Sequence, residues 1–482
     1  MKSVIIDKSR DKANEECGVF GIYKSNDNLD IATITLDALY GLQHRGQTSA
    51  GITVMKDGVP YSVKDLGIVS AVFNNKNLST LPSGKIAVGH VRDSASEYLD
   101  RAATQPLVMR YREGSMVLAN NGAISNFCDI RDDLEKNGAI FQSNSHAEII
   151  SYTISSEYIT CNKIETAVLK AMEKLKGAYS LVLSSPNKLI GARDPHGFRP
   201  LCLGKIQDSY MIASESCAVE TAGGEFIRDI EPGEMVVIDD AGLHSYMCSV
   251  KKKTSLCLFE FVYVSRPDSV IDNVIVHMAR RKAGEILYKE SPVKADIVCG
   301  VPDSGLDAAQ GFSAASNIPY VTAFIKNKYI GRRFPGSSDK KKQRLMKTKL
   351  NVLKATVKDK VVVIIDDSII RGSTSAHIVG LLKAAGAKEV HMRISSPQIV
   401  YPCYFGMRFP DRSEMISNKL SLNELAKEIG ADSLAFLSVD GLHKTAEECN
   451  IGLCDGCFSG HYSADIPTRI FVDKFANKIK EV

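Results

Sequence analysis

The sequence predicts two globular domains of different class, an α+β domain with layered sheets followed by an α/β domain built on a parallel sheet. Three observations carry this. The chain has 482 residues, where a single domain usually runs to roughly 100 to 200. Up to about residue 250, short β-type runs and helical stretches mix without strict alternation. From about residue 270 strand and helix alternate, the rhythm of a parallel sheet. Hydrophobic residues at 44% and charged residues at 24% are ordinary for a globular protein and exclude a disordered or fibrous chain.

Residues 1 to 16 are polar, and the apolar run Cys17 to Ile22 that follows reads as a first strand. Further β-type segments are Ile86 to Gly89, Ser180 to Leu183 and Met235 to Ile238, with helical patterns near 31 to 42, 146 to 158 and 165 to 176. In the second half a helix is expected at His277 to Lys289 and a strand at Asp296 to Gly300, followed by a helix after Gly305. Next come the β-branched strand Val361 to Ile365, a helix Ala376 to Ala385 capped by Gly386, and a strand Glu389 to Ile394.

No run approaches the ~18 apolar residues of a membrane span, and the first ten residues lack a signal peptide's apolar region. A cytoplasmic protein without a membrane partner is expected. The net charge of +4 gives no ground for a nucleic-acid partner. Twelve cysteines are too dilute for a secreted disulfide scaffold, so reduced thiols or metal ligands are expected.

The strand at 361 to 365 runs into Asp366-Asp367 and then Ser368, Arg371, Gly372, Ser373, Thr374 and Ser375 before a helix. Ligands of open α/β sheets collect at the carboxyl ends of strands, and a helix N-terminus is a seat for phosphate. Adjacent carboxylates repel unless a cation or ribose hydroxyls sit between them. Taken alone, such an acidic pair reads as a solvated turn. A second strand-to-helix turn, Cys299 to Gly305 with Ser304, offers a similar seat. Between the two turns, Lys326 to Lys349 carries ten basic residues against one acid, Asp339. Its Gly331, Pro335 and Gly336 suggest a cationic lid that excludes water from a reactive sugar.

The string VVVIIDDSIIRGSTS resembles the phosphoribosyl-diphosphate motif of type I phosphoribosyltransferases. With Glu16 to Gly21, Leu42 to Gln47, Ala192 to Pro200, Val301 to Gly305 and Leu434 to Leu442, the chain resembles the amidophosphoribosyltransferases of the self-processed, iron-sulfur bacterial type. That resemblance implies a leader at 1 to 16, an N-terminal-nucleophile glutaminase domain (an αββα sandwich) at 17 to 250, and a phosphoribosyltransferase domain at 251 to 482. It implies that glutamine-derived ammonia is attached to C1 of 5-phosphoribosyl 1-diphosphate, the first step of purine synthesis.

The resemblance also assigns residues. Cys17, freed at the N-terminus, is the nucleophile, and its α-amine, with an ordinary pKa of ~8, can take the proton. Asn121 and the Gly122 N–H would form the oxyanion hole, while Arg92 would hold the substrate carboxylate. Magnesium would bridge the diphosphate near Ser304, Asp366 and Asp367, with Lys328, Arg332 and Lys349 as lid cations. Cys454-Asp-Gly-Cys457 alone is a redox pair, half a zinc site or neither. With Cys257 and Cys403 it matches the family's four [4Fe–4S] ligands, although four thiolates suit zinc too. Purine-nucleotide feedback and a homotetramer are further implications.

Three pocket positions depart from the family pattern: Asp93 replaces a tyrosine, Asn120 a histidine, and His146 the aspartate that meets the glutamine ammonium. Either Asp93 supplies the missing carboxylate or glutamine binds weakly. The alternatives to the main reading are therefore an ammonia-dependent transferase and a phosphoribosyl-diphosphate-binding regulatory paralogue with impaired glutaminase.

Overall fold

A computed structural model describes residues 17–25, 28–93, 101–327 and 350–469. The leader and the lid residues Lys328, Arg332 and Lys349 lie outside these. Two antiparallel sheets form the first half. One has seven strands in the order β11-β9-β10-β1-β4-β2-β3, where β1 is Gly18–Tyr23, β2 Ser49–Lys56, β3 Val59–Leu66, β4 Ile86–Arg92, β9 Cys202–Ile206, β10 Ser209–Ala213 and β11 Glu225–Asp229. The other has six in the order β13-β12-β8-β7-β6-β5, with β5 Leu107–Tyr111, β6 Gly114–Asn121, β7 Ser180–Ser184, β8 Leu189–Arg193, β12 Glu234–Asp239 and β13 Gly242–Met247.

The two sheets face each other across a core that includes Val19, Val88, Val117, Val182, Ile212 and Val236. Helices Ile31–Gly41 and Ser216–Thr221 bury their apolar residues on the outer face of the first sheet. Helices His146–Cys161 and Ile164–Lys174 do the same on the second. Strands buried on both faces read as continuous apolar runs, which is why β1 has the burial it does at every position. The result is the αββα sandwich that the resemblance implies.

The second half carries a four-stranded parallel sheet in the order Ile297–Gly300, Val361–Asp366, Glu389–Ile394, Ser433–Phe436. Helices Val276–Glu290 and Leu306–Ser316 pack one face, and Ser373–Ala384 and Leu422–Glu428 the other. This is the expected α/β architecture. The helix expected at Ala376 to Ala385 begins earlier, at Ser373, because Gly372 turns the chain at φ +84°, a conformation that favours glycine. The polar Ser-Thr-Ser segment thereby becomes the first turn. Among the described residues no helix is long and apolar enough to cross a membrane.

Candidate functional site

Strand β4 extends past the expected Gly89 to Arg92 and pairs with both β1 and β2. This brings Arg92 beside Cys17, just before β1. Cys17, Arg92, Asp93, Gln105, Asn120, Gly122, Asn144, Ser145 and His146 line one cavity of about 320 Å³. Its remaining wall, Cys403, Tyr404, Gly406, Met407 and Arg408, comes from the second half of the chain. Sequence reasoning missed that wall, since nothing local in 404 to 408 points to a site formed by residues 17 to 147.

Gly122 adopts φ +124°, and a Cβ there would sit 2.5 Å from the Ala178 carbonyl, so only glycine fits. Asn121 is not among the lining residues; it is fully buried, and neither its Nδ2 nor its Oδ1 has a hydrogen-bond partner. A buried amide left unpaired costs about 1–3 kcal/mol, a cost that a ligand oxygen reaching Nδ2 would remove. Beside it, Asn120 donates to the Gly122 carbonyl at 3.0 Å. The guanidinium of Arg92 donates to the Ala103 carbonyl at 3.1 Å.

His146 opens the helix His146–Cys161, whose N-cap is Ser145. The Ile124 N–H donates to its Nδ1 at 3.3 Å, so that nitrogen carries no proton. Burial, with Arg408 and Arg92 nearby, pushes the imidazole pKa down to about 4. The ring is neutral at physiological pH and holds its proton on Nε2.

Behind Cys17 lies a charge network whose Arg45, Arg199, Glu215 and Glu260 are buried and whose His44 is partly exposed. Arg45 Nε donates to the Cys17 carbonyl at 3.1 Å, and its terminal nitrogens reach Glu215 at 2.5 Å and Glu260 at 2.9 and 3.0 Å. Arg199 donates to Glu260 at 3.0 Å, and His44 pairs with Glu215 at 2.7 Å. Burial alone would raise the Glu215 carboxyl, but His44 and Arg45 hold it well below the usual carboxylate range. Glu260 belongs to the second half of the chain, so this network joins the two.

At the other site, strand Val361–Asp366 delivers Asp366 and Asp367, both about 1% exposed. Asp367 accepts the Ser304 hydroxyl at 2.6 Å and the Ser368 hydroxyl at 2.7 Å. The two turns singled out from the sequence therefore meet. The Gly372 N-cap has no side chain to occupy the start of helix Ser373–Ala384, which leaves room for an anion there. Arg371 is held by Glu414 at 2.6 Å, a partner the sequence did not suggest, and Lys326 pairs with Asp303.

Cys257 and Cys454 are neighbours on a short parallel pair of strands. Burial pushes the Cys257 thiol up to about 12, with Cys403 adding to the rise. Burial likewise raises Cys457, and Cys257, Cys403 and Cys454 raise it further, so the four thiols feel one another. Phe198, Phe405 and Tyr462 pack in one cluster with Cys403 and Cys454. Among the described residues, however, no three His, Cys, Asp or Glu side chains gather tightly enough to hold a metal ion.

A cysteine-centred amide pocket on an αββα sandwich, joined to a strand-end phosphate seat on a parallel sheet, defines a glutamine amidotransferase coupled to a phosphoribosyl-transfer domain. Residues 90–221 match the family described as a glutamine amidotransferase domain. The chain is 42% identical over 475 residues to the amidophosphoribosyltransferase of Bacillus subtilis, covering 97% of each, and 40% identical over 453 residues to that of Archaeoglobus fulgidus, covering 94% of this chain and 98% of the relative. It is also similar to the solved glutamine phosphoribosylpyrophosphate amidotransferase from B. subtilis complexed with ADP and GMP, with a TM-score of 0.86, 40% identity, and coverage of 94% of this chain and 98% of that one. The chain belongs to the amidophosphoribosyltransferase family, and its reaction is the first step of purine biosynthesis, transfer of glutamine-derived ammonia to 5-phosphoribosyl 1-diphosphate.

Proposed function

We propose that residues 1 to 16 are removed, that Cys17 then attacks the glutamine amide, and that the released ammonia reaches ribose C1 in the second domain. The observation that supports this most is the shared cavity: Cys17, Arg92 and Gly122 from the sandwich, closed by Cys403 to Arg408 from the other domain. In this reading the domains are 17–250 and 251–482. The freed α-amine takes the thiol proton. The Asn121 amide and the Gly122 N–H receive the charge that develops on the amide oxygen, and Arg92 holds the substrate carboxylate.

At the second site Asp366 and Asp367 hold ribose hydroxyls, and Ser368 to Ser375 wrap the 5-phosphate. Lys328, Arg332 and Lys349 would close over the diphosphate. The oxygens of Ser304, Asp366 and Asp367 fit magnesium, which binds through a few carboxylates plus substrate phosphates and would neutralise the departing diphosphate. Cys257, Cys403, Cys454 and Cys457 are read as ligands of a [4Fe–4S] cluster. The thiols feel one another yet are not gathered as closely as one zinc at about 2.3 Å from each sulfur requires. The family resemblance, not the ligand set, favours a multi-iron group with a structural role.

The same reading makes the protein a cytoplasmic homotetramer under purine-nucleotide feedback, the nucleotide part being supported by the relative solved with ADP and GMP. The test is anaerobic release of diphosphate with glutamine, with ammonium, and with neither. Release with glutamine, lost in Cys17→Ala while ammonium still works, is expected. Release with ammonium alone in the wild type would overturn the role given to Cys17, and no release at all would overturn the transferase reading.

A further inference from the structure

Arg193, the last residue of β8, is fully buried, and each of its N–H groups has an acceptor. Nε donates to the Arg199 carbonyl at 2.8 Å. One terminal nitrogen donates to the Ile230 carbonyl at 2.8 Å and to Asp272 at 3.1 Å, the other to the Gly197 carbonyl at 3.1 Å and to Asp272 at 2.7 Å. The same guanidinium therefore grips a carboxylate with its fork and fixes the turn from Gly197 to Arg199 with its other N–H groups. A bidentate grip sets the plane of the guanidinium, and the carbonyls it reaches are set with it.

Asp272 comes from the second half of the chain. It and Asn273 are the central residues of the hairpin that joins Val270–Ile271 to Val274–Ile275, and their φ of +45° and +73° are those of a type I′ turn. Three bonds hold this hairpin: the Val270 N–H donates to the Ser216 hydroxyl at 2.9 Å, the Asp272 N–H to the Asp229 carboxylate at 2.9 Å, and the Val276 N–H to the Ser269 carbonyl at 3.0 Å. At the other end, the turn that Arg193 fixes carries the cavity wall. Phe198 stacks on Phe405 with ring centroids 4.3 Å apart, and Arg199 donates to the Phe405 carbonyl at 3.2 and 3.3 Å. Tyr404 and Gly406, on either side of Phe405, line the Cys17 cavity. Asp194 ties the same turn from inside, accepting the His196 and Phe198 N–H groups at 2.9 and 3.2 Å, so loss of the Asp272 grip would shift the turn rather than unfold it.

We infer that Asp272 is a positioning residue for glutamine hydrolysis: by gripping Arg193 it sets the 197–199 turn, and with it Phe405 and the second-domain wall of the amide cavity. A misplacement of about 1 Å caused by a distant substitution can cost about a hundredfold in rate. The phosphate seat takes no part in this chain of contacts, because Ser304, Asp366 and Asp367 are fixed by the parallel sheet and by one another. The inference rests on the reading of the Cys17 cavity as the glutamine site.

The test is Asp272→Asn. Burial and the Asp272 charge push the Asp229 carboxyl up; the substitution removes the second cause, so Asp229 ionises more readily and offsets the buried Arg193 charge without gripping it. Diphosphate release is measured on the full chain purified anaerobically, with phosphoribosyl diphosphate and magnesium, and with either glutamine or ammonium as nitrogen donor. The glutamine KM should rise about tenfold or more, while the ammonium-dependent kcat and KM stay within about twofold of wild type. Asp229→Asn, which removes a neighbouring carboxyl that Arg193 does not hold, should match wild type with both donors. If Asp272→Asn gives no soluble protein, Arg193→Lys, which keeps the charge and loses the fork, should show the same rise. An unchanged glutamine KM, equal losses with both donors, or the same rise in Asp229→Asn overturns the inference, and insolubility of both Asp272→Asn and Arg193→Lys replaces it by a purely structural clasp. No glutamine-dependent release in the wild type overturns the Cys17 assignment and the inference together.

Discussion

Replacing Glu260 with alanine removes the acid on which the Arg45 and Arg199 guanidiniums converge, while Glu215 still pairs with Arg45. Arg45, Arg199 and Glu260 are all at most 1% exposed, so water cannot replace the lost carboxylate. Breaking a buried pair by deleting one partner costs about 3–5 kcal/mol. For domains of this size each kcal/mol moves the melting point by about 2–4 °C. The expected drop in Tm is therefore about 6 to 20 °C, measured by calorimetry at one scan rate. The double variant Arg199→Met with Glu260→Leu should recover part of it, because Arg45 and Glu215 then balance. Since Arg45 also holds the Cys17 carbonyl, glutamine-dependent turnover should fall further than ammonium-dependent turnover. A single-variant shift under about 2 °C, the behaviour of a solvent-exposed pair, would refute the reasoning.

Three further predictions concern the other sites. Asp367→Asn, which loses the carboxylate that Ser304 and Ser368 hold, should weaken magnesium-dependent binding of phosphoribosyl diphosphate by more than about a hundredfold, since even indirect metal contacts are worth 10–100-fold; calorimetric titration with an unchanged affinity would contradict the site. Cys454→Ser should lower bound iron and acid-labile sulfide in anaerobically purified protein, and stoichiometric zinc with no sulfide in the wild type would replace the cluster by a zinc site. His90 is fully buried, and desolvation pushes its pKa from 6.5 down to about 3. The unfolded chain therefore binds a proton that the folded one refuses, so stability is lost as pH falls below about 6.5. That is about 2 kcal/mol between pH 7 and pH 5, and a urea midpoint in His90→Asn with the same pH slope as wild type would show that another group is responsible.

Local chemistry made much of this molecule legible. Strand Glu389–Ile394 has the bounds its sequence pattern suggests, and Val361–Asp366 differs by one residue, because β-branched runs bounded by polar turns leave few alternatives. The meeting of Ser304 with Asp367 also follows, since both turns lie at the carboxyl ends of adjacent parallel strands. What could not be read was set by distant contacts. The ion pair of Arg371 with Glu414, far along the chain and without a motif of its own, had no local signal. His44 and Arg45 were visible within a motif, yet their partner Glu215 lies 170 residues further along the same sandwich and Glu260 is supplied by the second domain. Arg408 carries no local signal at all. Its place in the cavity wall is set by the fold.

That wall also gives the cysteines a consequence beyond cross-linking. Cys403 lines the amide cavity and belongs to the four-thiol group, and the Phe405 N–H donates to its sulfur at 3.4 Å. Phe405 in turn stacks on Phe198 of the sandwich, with ring centroids 4.3 Å apart, and its carbonyl accepts from Arg199. Whatever holds the Cys403 sulfur therefore holds the segment that closes the amide pocket. The strand-end phosphate seat has no such dependence, because Asp366, Asp367 and Ser304 are fixed by the parallel sheet and by one another. If the four thiols hold an iron-sulfur cluster as proposed, its loss to oxygen should abolish amide hydrolysis before ammonium-dependent transfer. Equal rates of loss on air exposure would mean that the group supports the whole fold rather than this wall.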